Sequence, residues 1–114
     1  MAINYEDLTK KEKKLYDAIV DVSGYQPYLF DDGTVEISTY TGGGVNQVIY
    51  LEDFTMDALD DYIFNFDIDY EIDILRQAED YREAFTISQS LDDFKSWLEM
   101  WRDYVSEIRK EVNR

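Results

Sequence analysis

The sequence contains no cysteine and no histidine. The absence of cysteine excludes a disulfide framework and thiolate chemistry. The absence of both residue types removes the usual zinc ligands, and the absence of histidine removes the commonest general base. We therefore expect a protein that is not an enzyme and that holds neither a metal nor another cofactor.

Long apolar runs are also absent, because no apolar run approaches the 18 residues that indicate a membrane span. Residues 1–14 are polar and unlike a signal peptide. We expect a single cytoplasmic domain over residues 1–114. Its formal charge of −15 would repel nucleic acid and anionic lipid, so we expect neither direct nucleic-acid binding nor a membrane partner.

The most unusual absence is that of cations across residues 15–75. This run contains 14 carboxylates and no lysine or arginine, whereas the charges of the flanking segments nearly cancel. Its surface would attract a basic protein. The four lysines before it, Lys10, Lys11, Lys13 and Lys14, are interpreted as a solvated helix face. The alternatives are that they neutralise the protein's own acids or bind an acidic partner.

Local signals predict the first half of the fold. Thr9 and Glu12 form a capping box that opens a helix to about Val22, and Gly24 is placed to end it. Asp31-Asp32-Gly33-Thr34 predicts a hairpin between strands 28–30 and 35–40. Thr41-Gly42-Gly43-Gly44 then leads to a third strand, 45–51. We interpret the glycines as a hairpin loop rather than a phosphate loop, because no lysine and no helix follow them.

The second half is predicted to be helical. Thr55 can cap a helix to about Asn65, with Asp57, Asp60 and Asp61 away from the core. Residues 66–74 alternate as a strand would, but a helix over about 68–81 capped by Asp67 or Asp69 is favoured, because acidic residues are poor strand formers.

We interpret residues 82–87 as a connection, after which a capping box at Ser90-Leu91-Asp92-Asp93 opens the last helix, to about Val112. Its apolar heptad positions are Leu91, Phe94, Leu98, Trp101, Val105, Ile108 and Val112. The core-helix interpretation is favoured over a homodimer seam. The expected class is α+β: a small three-stranded antiparallel sheet covered by helices, in the order α-β-β-β-α-α-α.

Two carboxylate chemistries were considered for the acidic run. Asp67, Asp69 and Glu71 resemble the start of a calcium loop, but Ile72 and Ala78 occupy the positions that require glycine and a bidentate glutamate. Paired carboxylates can catalyse glycoside hydrolysis, but these acids are numerous and on faces predicted to be exposed. Neither chemistry is therefore expected.

The remaining function is protein binding through an acidic face. Carboxylates on one helix face lie about 5–6 Å apart, a spacing comparable with that of phosphates along nucleic acid. Such a face could occupy the basic groove of a nucleic-acid-binding protein. The expected partner-binding residues are Asp53, Asp57, Asp60, Asp61, Asp67, Asp69, Glu71, Asp73, Glu79 and Asp80.

In size, in the cation-free run 15–75 and in the segment Phe66-Asp67-Ile68-Asp69-Tyr70-Glu71-Ile72-Asp73, the chain resembles the small acidic DNA mimics of phages and mobile elements. These are anti-CRISPR and anti-restriction proteins. The resemblance implies an inhibitor of a host nuclease, such as a Cas9-type effector, whose basic channel holds nucleic acid. The alternative is a generic cytoplasmic interaction or accessory protein, in which the last helix could form a homodimer and the acids serve solubility.

Overall fold

The computed structural model describes residues 2–40, 46–67, 70 and 81–114, and at residues 40, 46, 47 and 81–94 it describes the backbone alone. The chain begins with a 3-10 turn, Tyr5–Asp7, followed by helix α1, Lys10–Ser23. Strands β1, Tyr28–Leu29, β2, Val35–Tyr40, and β3, Asn46–Leu51, come next. Helices α2, Met56–Phe64, and α3, Tyr81–Val112, complete the described elements. The α+β class is confirmed, and these elements follow the predicted order.

Both ends of α1 confirm the predicted caps. The Glu12 backbone N–H donates to Thr9 Oγ1 at 3.1 Å, and the Thr9 N–H donates to Glu12 Oε1 at 2.9 Å. At the other end Gly24 has a φ of 78°, a conformation that glycine adopts without a Cβ penalty. Its N–H donates to the Val20 carbonyl at 2.9 Å, so α1 ends one residue beyond the predicted boundary.

The three strands form the predicted antiparallel meander, in the order β1-β2-β3. In the first turn, Asp32 Oδ1 accepts hydrogen bonds from the Thr34 backbone N–H at 2.9 Å and from Thr34 Oγ1 at 2.6 Å. These bonds lower the pKa of the Asp32 carboxyl, the Thr34 hydroxyl being the larger cause, because they favour its ionised form. The glycine loop, residues 41–45, lies outside the described residues.

Helix α2 also forms where it was predicted. Thr55 Oγ1 accepts from the Ala58 N–H at 3.1 Å, which satisfies one of the free donors of the first turn. Leu59 and Ile63 are fully buried and fix this face of α2 against the core. The predicted helix over about 68–81 lies outside the described residues, apart from Tyr70 and Tyr81. Asp67 Oδ1 accepts from the helical Tyr70 N–H at 3.0 Å, the bond expected if Asp67 is the N-cap.

The prediction that the last helix starts at Ser90 was wrong, because α3 is continuous over Tyr81–Val112. Residues 82–87, interpreted as a connection, are helical. Neither glycine nor proline interrupts this stretch, and residues such as Arg82, Glu83 and Ala84 are good helix formers. Ser-x-x-Asp is therefore not a start signal here, since the chain before it is already helical.

The core lies between the inner face of the sheet and α3, and α1 and α2 also pack against α3. Trp97, Leu98, Trp101, Val105 and Ile108 are all at most 2% exposed. The heptad positions Leu98, Trp101, Val105 and Ile108 are therefore covered by the chain itself, as the core-helix interpretation requires. The side chains of Leu91 and Phe94 lie outside the description.

Candidate protein-binding surface

Five of the ten predicted partner-binding residues can be located. Asp53 precedes α2, Asp57, Asp60 and Asp61 lie on it, and Asp67 follows it. The other five, Asp69, Glu71, Asp73, Glu79 and Asp80, lie outside the described residues. The structure thus describes the half of the predicted face that is built on α2.

The acids on α2 divide into two groups. Asp57 and Asp60, which are three positions apart, both approach Arg109 of α3. Arg109 Nη2 lies 3.1 Å from Asp60 Oδ2 and 3.8 Å from Asp57 Oδ1. The Asp57 side chain nevertheless remains 90% exposed, whereas those of Asp60 and Arg109 are 34% and 40% exposed. One cation therefore partly neutralises this side of α2.

Asp61 instead faces a concave surface between α2 and β3, with a volume of about 490 Å³. We call it the acidic groove and define it by the polar and aromatic residues that line it: Tyr50, Glu52, Asp53, Asp61, Tyr62 and Asn65. Its other lining residues, Leu51 and Ala58, are apolar. No lysine or arginine is among the described residues that line the groove, so its three carboxylates have no cation within it.

The groove is held in place by contacts between elements. Tyr62 Oη donates to the Val48 carbonyl of β3 at 3.4 Å, which joins α2 to the sheet. The Tyr62 ring also packs against Phe66 at a centroid distance of 5.8 Å. Leu51 of β3 and Leu59 of α2 are both buried in the core. Asp61 and the Glu52-Asp53 pair are therefore presented by two elements that share one hydrophobic core.

Sequence reasoning missed two residues at this surface. Glu52 belongs to the cation-free run but was not among the predicted partner-binding residues, and the groove places it with Asp53 and Asp61. Arg109 was missed because nothing in its sequence neighbourhood shows which acids it meets. Glu52 and Asp53 lie only two or three positions before the helix cap Thr55, and this short spacing could have indicated that Glu52 belongs to the surface. No local signal indicates that Arg109 meets the acids of α2.

No lysine of α1 lines the acidic groove, although Lys11 and Asp53 together line a second cavity. Among the ion pairs of the described residues, none includes Lys10, Lys11, Lys13 or Lys14. Lys13 Nζ lies 5.5 Å from the centroid of the Tyr5 ring, and Lys14 Nζ donates to the Arg114 carbonyl at 2.7 Å. These contacts agree with the interpretation of a solvated face, within the part of the acidic run that the structure describes.

A second cavity, of about 380 Å³, lies beneath the first hairpin. Its walls include the apolar side chains Leu15, Phe54 and Val112, and Lys11 and Glu12 also line it. Charges of both signs line it, so it does not favour a ligand of one charge.

The described part of the chain contains neither a cluster of metal ligands nor a membrane-spanning helix. Within those residues no three carboxylates converge as they would around an ion. None of the described helices combines the length and apolar character that a membrane span requires.

No family model, no curated protein and no solved structure matches the chain.

Proposed function

We propose that the protein is a non-enzymatic inhibitor that binds the basic nucleic-acid-binding surface of a host nuclease, of the anti-CRISPR or anti-restriction type. The observation that carries the proposal is the acidic groove, where Glu52, Asp53 and Asp61 share one concave surface without a lining cation among the described residues. A nuclease channel presents the complementary charge to this surface.

The placement of the acids supports binding over a role in solubility alone. Acids that serve only solubility need no shared concavity, whereas those of the groove come from α2 and from the segment that joins β3 to α2. The two tyrosines of the groove add the amphipathic aromatic surface that is enriched at protein interfaces. Asp57 and Asp67 are also exposed, on α2 and just beyond it, although Asp57 lies on the side of α2 that Arg109 partly neutralises.

The first experiment is a tagged pull-down from a bacterial lysate containing Cas effectors and restriction enzymes, at about 0.1 M and about 1 M salt. The screening length falls from about 10 Å to about 3 Å between these concentrations. We expect capture of a nuclease at low salt, its release at high salt and its displacement by competing DNA. Capture of no nuclease, or capture that DNA does not displace, would contradict the proposal.

A charge-matched pair of variants then separates location from total charge. The first combines Glu52→Gln, Asp53→Asn and Asp61→Asn in the groove. The second combines Asp21→Asn, Glu99→Gln and Asp103→Asn at exposed positions on α1 and α3. Both remove three negative charges. If each rim charge contributes about 0.5–1 kcal/mol, the groove variant loses at least about tenfold in low-salt affinity.

The control variant should lose less than about threefold. Equal losses in the two variants would show that net charge, not the groove, attracts the nuclease. Circular dichroism of both variants checks that α2 and the sheet are retained.

A further inference from the structure

The outer face of the sheet carries a row of three side chains, of which the acidic groove includes only Tyr50. The strand register places Tyr28 of β1 opposite Glu36 of β2, and Glu36 opposite Tyr50 of β3. Directly opposed residues project to the same face of a sheet, so the three side chains form one line across it. We call this line the tyrosine row.

The row points away from the core. The neighbouring register pairs link Leu29 to Val35 and Val35 to Leu51, and these three residues are 5%, 1% and 3% exposed. Tyr28 and Tyr50, one position along, are 62% and 61% exposed. A solvated face of an antiparallel sheet normally carries polar residues. Two widely exposed aromatic rings beside a carboxylate are instead typical of a binding surface.

Two other exposed rings, those of Tyr5 and Phe64, already hold a cation of their own. Lys13 Nζ lies 5.5 Å from the Tyr5 ring centroid, and the Arg102 guanidinium carbon lies 5.9 Å from that of Phe64. Neither Tyr28 nor Tyr50 has such a contact within the described residues. The row thus presents two ring faces to cations that this part of the chain does not supply.

The geometry of the row suits a guanidinium group. Neighbouring strands lie about 4.8 Å apart, so the backbones of Tyr28 and Tyr50 are separated by about 9.6 Å, with Glu36 between them. A flat guanidinium needs about 3.5–4 Å of contact on each side, or about 7–8 Å between two rings. It can therefore stack on either ring while its N–H groups donate to the neighbouring Glu36 carboxylate. A lysine ammonium has no plane to stack.

We propose that the tyrosine row is a docking surface for arginine side chains of a basic protein partner. Charge complementarity supports this occupant, since the protein carries a charge of −15 and Tyr50 also lines the acidic groove with Glu52 and Asp61. The row and the groove therefore form one continuous surface. Arginine recognition by the row does not require that the partner be a nuclease.

The test compares two fluorescent peptides of equal charge, nine arginines and nine lysines, by their dissociation constants at about 0.1 M salt. Cation–π contacts at exposed sites correspond to about a twofold to fivefold gain in affinity each. We expect the wild-type protein to bind the arginine peptide about fivefold more tightly than the lysine peptide. Equal affinities would overturn the proposal.

Three variants assign the preference to the row. Tyr28→Thr with Tyr50→Thr retains good strand formers and removes both rings, so we expect the arginine preference to vanish while lysine-peptide affinity changes less than about twofold. Tyr28→Phe with Tyr50→Phe should retain the preference. Glu36→Gln should weaken both peptides, and the arginine peptide more strongly. A preference that persists without the rings contradicts the proposal, and the phenylalanine variant guards against a folding defect.

The groove variant of the previous subsection separates the two proposals. It should weaken both peptides and leave the arginine preference unchanged, because it leaves the row intact. If the pull-down captures no nuclease, the inhibitor proposal is contradicted, whereas the preference for the arginine peptide is still expected. Conversely, if the pull-down captures a nuclease but the arginine and lysine peptides bind with equal affinity, only the arginine proposal is contradicted.

Discussion

The indole Nε1–H of Trp97 donates a hydrogen bond to Thr39 Oγ1 at 2.7 Å, across the buried interface between α3 and β2. Thr39 is 2% exposed and Trp97 is 1% exposed. The bond fixes α3 to the sheet whose opposite face carries the tyrosine row. Removing a buried acceptor typically costs about 1–3 kcal/mol.

We therefore expect Thr39→Val, which is similar in shape but lacks the hydroxyl, to lower the free energy of unfolding by about 1–3 kcal/mol. Urea unfolding followed by tryptophan fluorescence measures this change. Ser38→Ala is the matched control, because Ser38 is the exposed neighbour on the other face, and its effect should stay within about 0.5 kcal/mol. Equal effects of the two substitutions would show that the bond contributes little.

Arg109 partly neutralises the acids of α2, so we expect its removal to strengthen the binding of a basic partner. Arg109→Gln removes the cation beside Asp57 and Asp60 and should raise low-salt affinity for a nine-lysine peptide by about twofold to fivefold. The free energy of unfolding should change by less than about 1 kcal/mol, because all three side chains are at least one-third exposed.

Lys110→Gln is the control for this experiment, since Lys110 pairs with Glu107 at 3.2 Å and carries the same charge. It should raise peptide affinity less than Arg109→Gln. If both variants gain equally, the α2 acids have no special part in attracting a basic partner.

The lowered pKa of Asp32 predicts that its contribution to stability depends on pH. Its pKa is lowered below 3.8 mainly by the Thr34 hydroxyl and then by the Thr34 N–H, so the ionised carboxyl stabilises the folded turn. This contribution is complete above the ordinary pKa and is lost as the pH falls through the lowered pKa. The stability difference between the wild type and Asp32→Asn should therefore be larger at pH 6 than at about pH 2.

An NMR titration of the Asp32 carboxyl measures the shift directly. Its midpoint should lie below 3.8 and should move up in Thr34→Val, which removes the hydroxyl donor. Asp21→Asn, at an exposed position on α1, reports the effect of net charge alone. An Asp32 midpoint that Thr34→Val leaves unchanged would rule out the hydroxyl as the principal cause.

The continuity of α3 is tested at Ser90. Inside a helix, Ser90→Ala should leave stability unchanged or raise it by up to about 0.5 kcal/mol, because alanine is the better helix former. At an N-cap the same change would cost about 0.5–2 kcal/mol. Thr9→Ala removes a real cap and should cost that amount. Thermal unfolding of the two variants compares them, and a similar loss at Ser90 would contradict a continuous helix.

The sequence by itself determined the parts of the fold whose partners are close along the chain. The Thr9–Glu12 box, the Thr55 cap and the Asp32 turn each join residues two or three positions apart, so their residue types were sufficient to predict them. Alternating apolar residues likewise determined the inner face of β2. The cation-free run indicated an acidic surface and a basic partner, but not which acids would lie together.

Only the tertiary structure decided the contacts between distant residues. The pairing of Thr39 with Trp97, 58 positions apart, and of Arg109 with Asp60 depends on where α3 crosses the sheet and α2. The same packing brings Glu52, Asp53 and Asp61 into one groove, and strand register aligns the tyrosine row. The start of α3 was mispredicted for a related reason. A capping pattern spans only four residues, whereas helix continuity depends on the whole segment and on the core against which it packs.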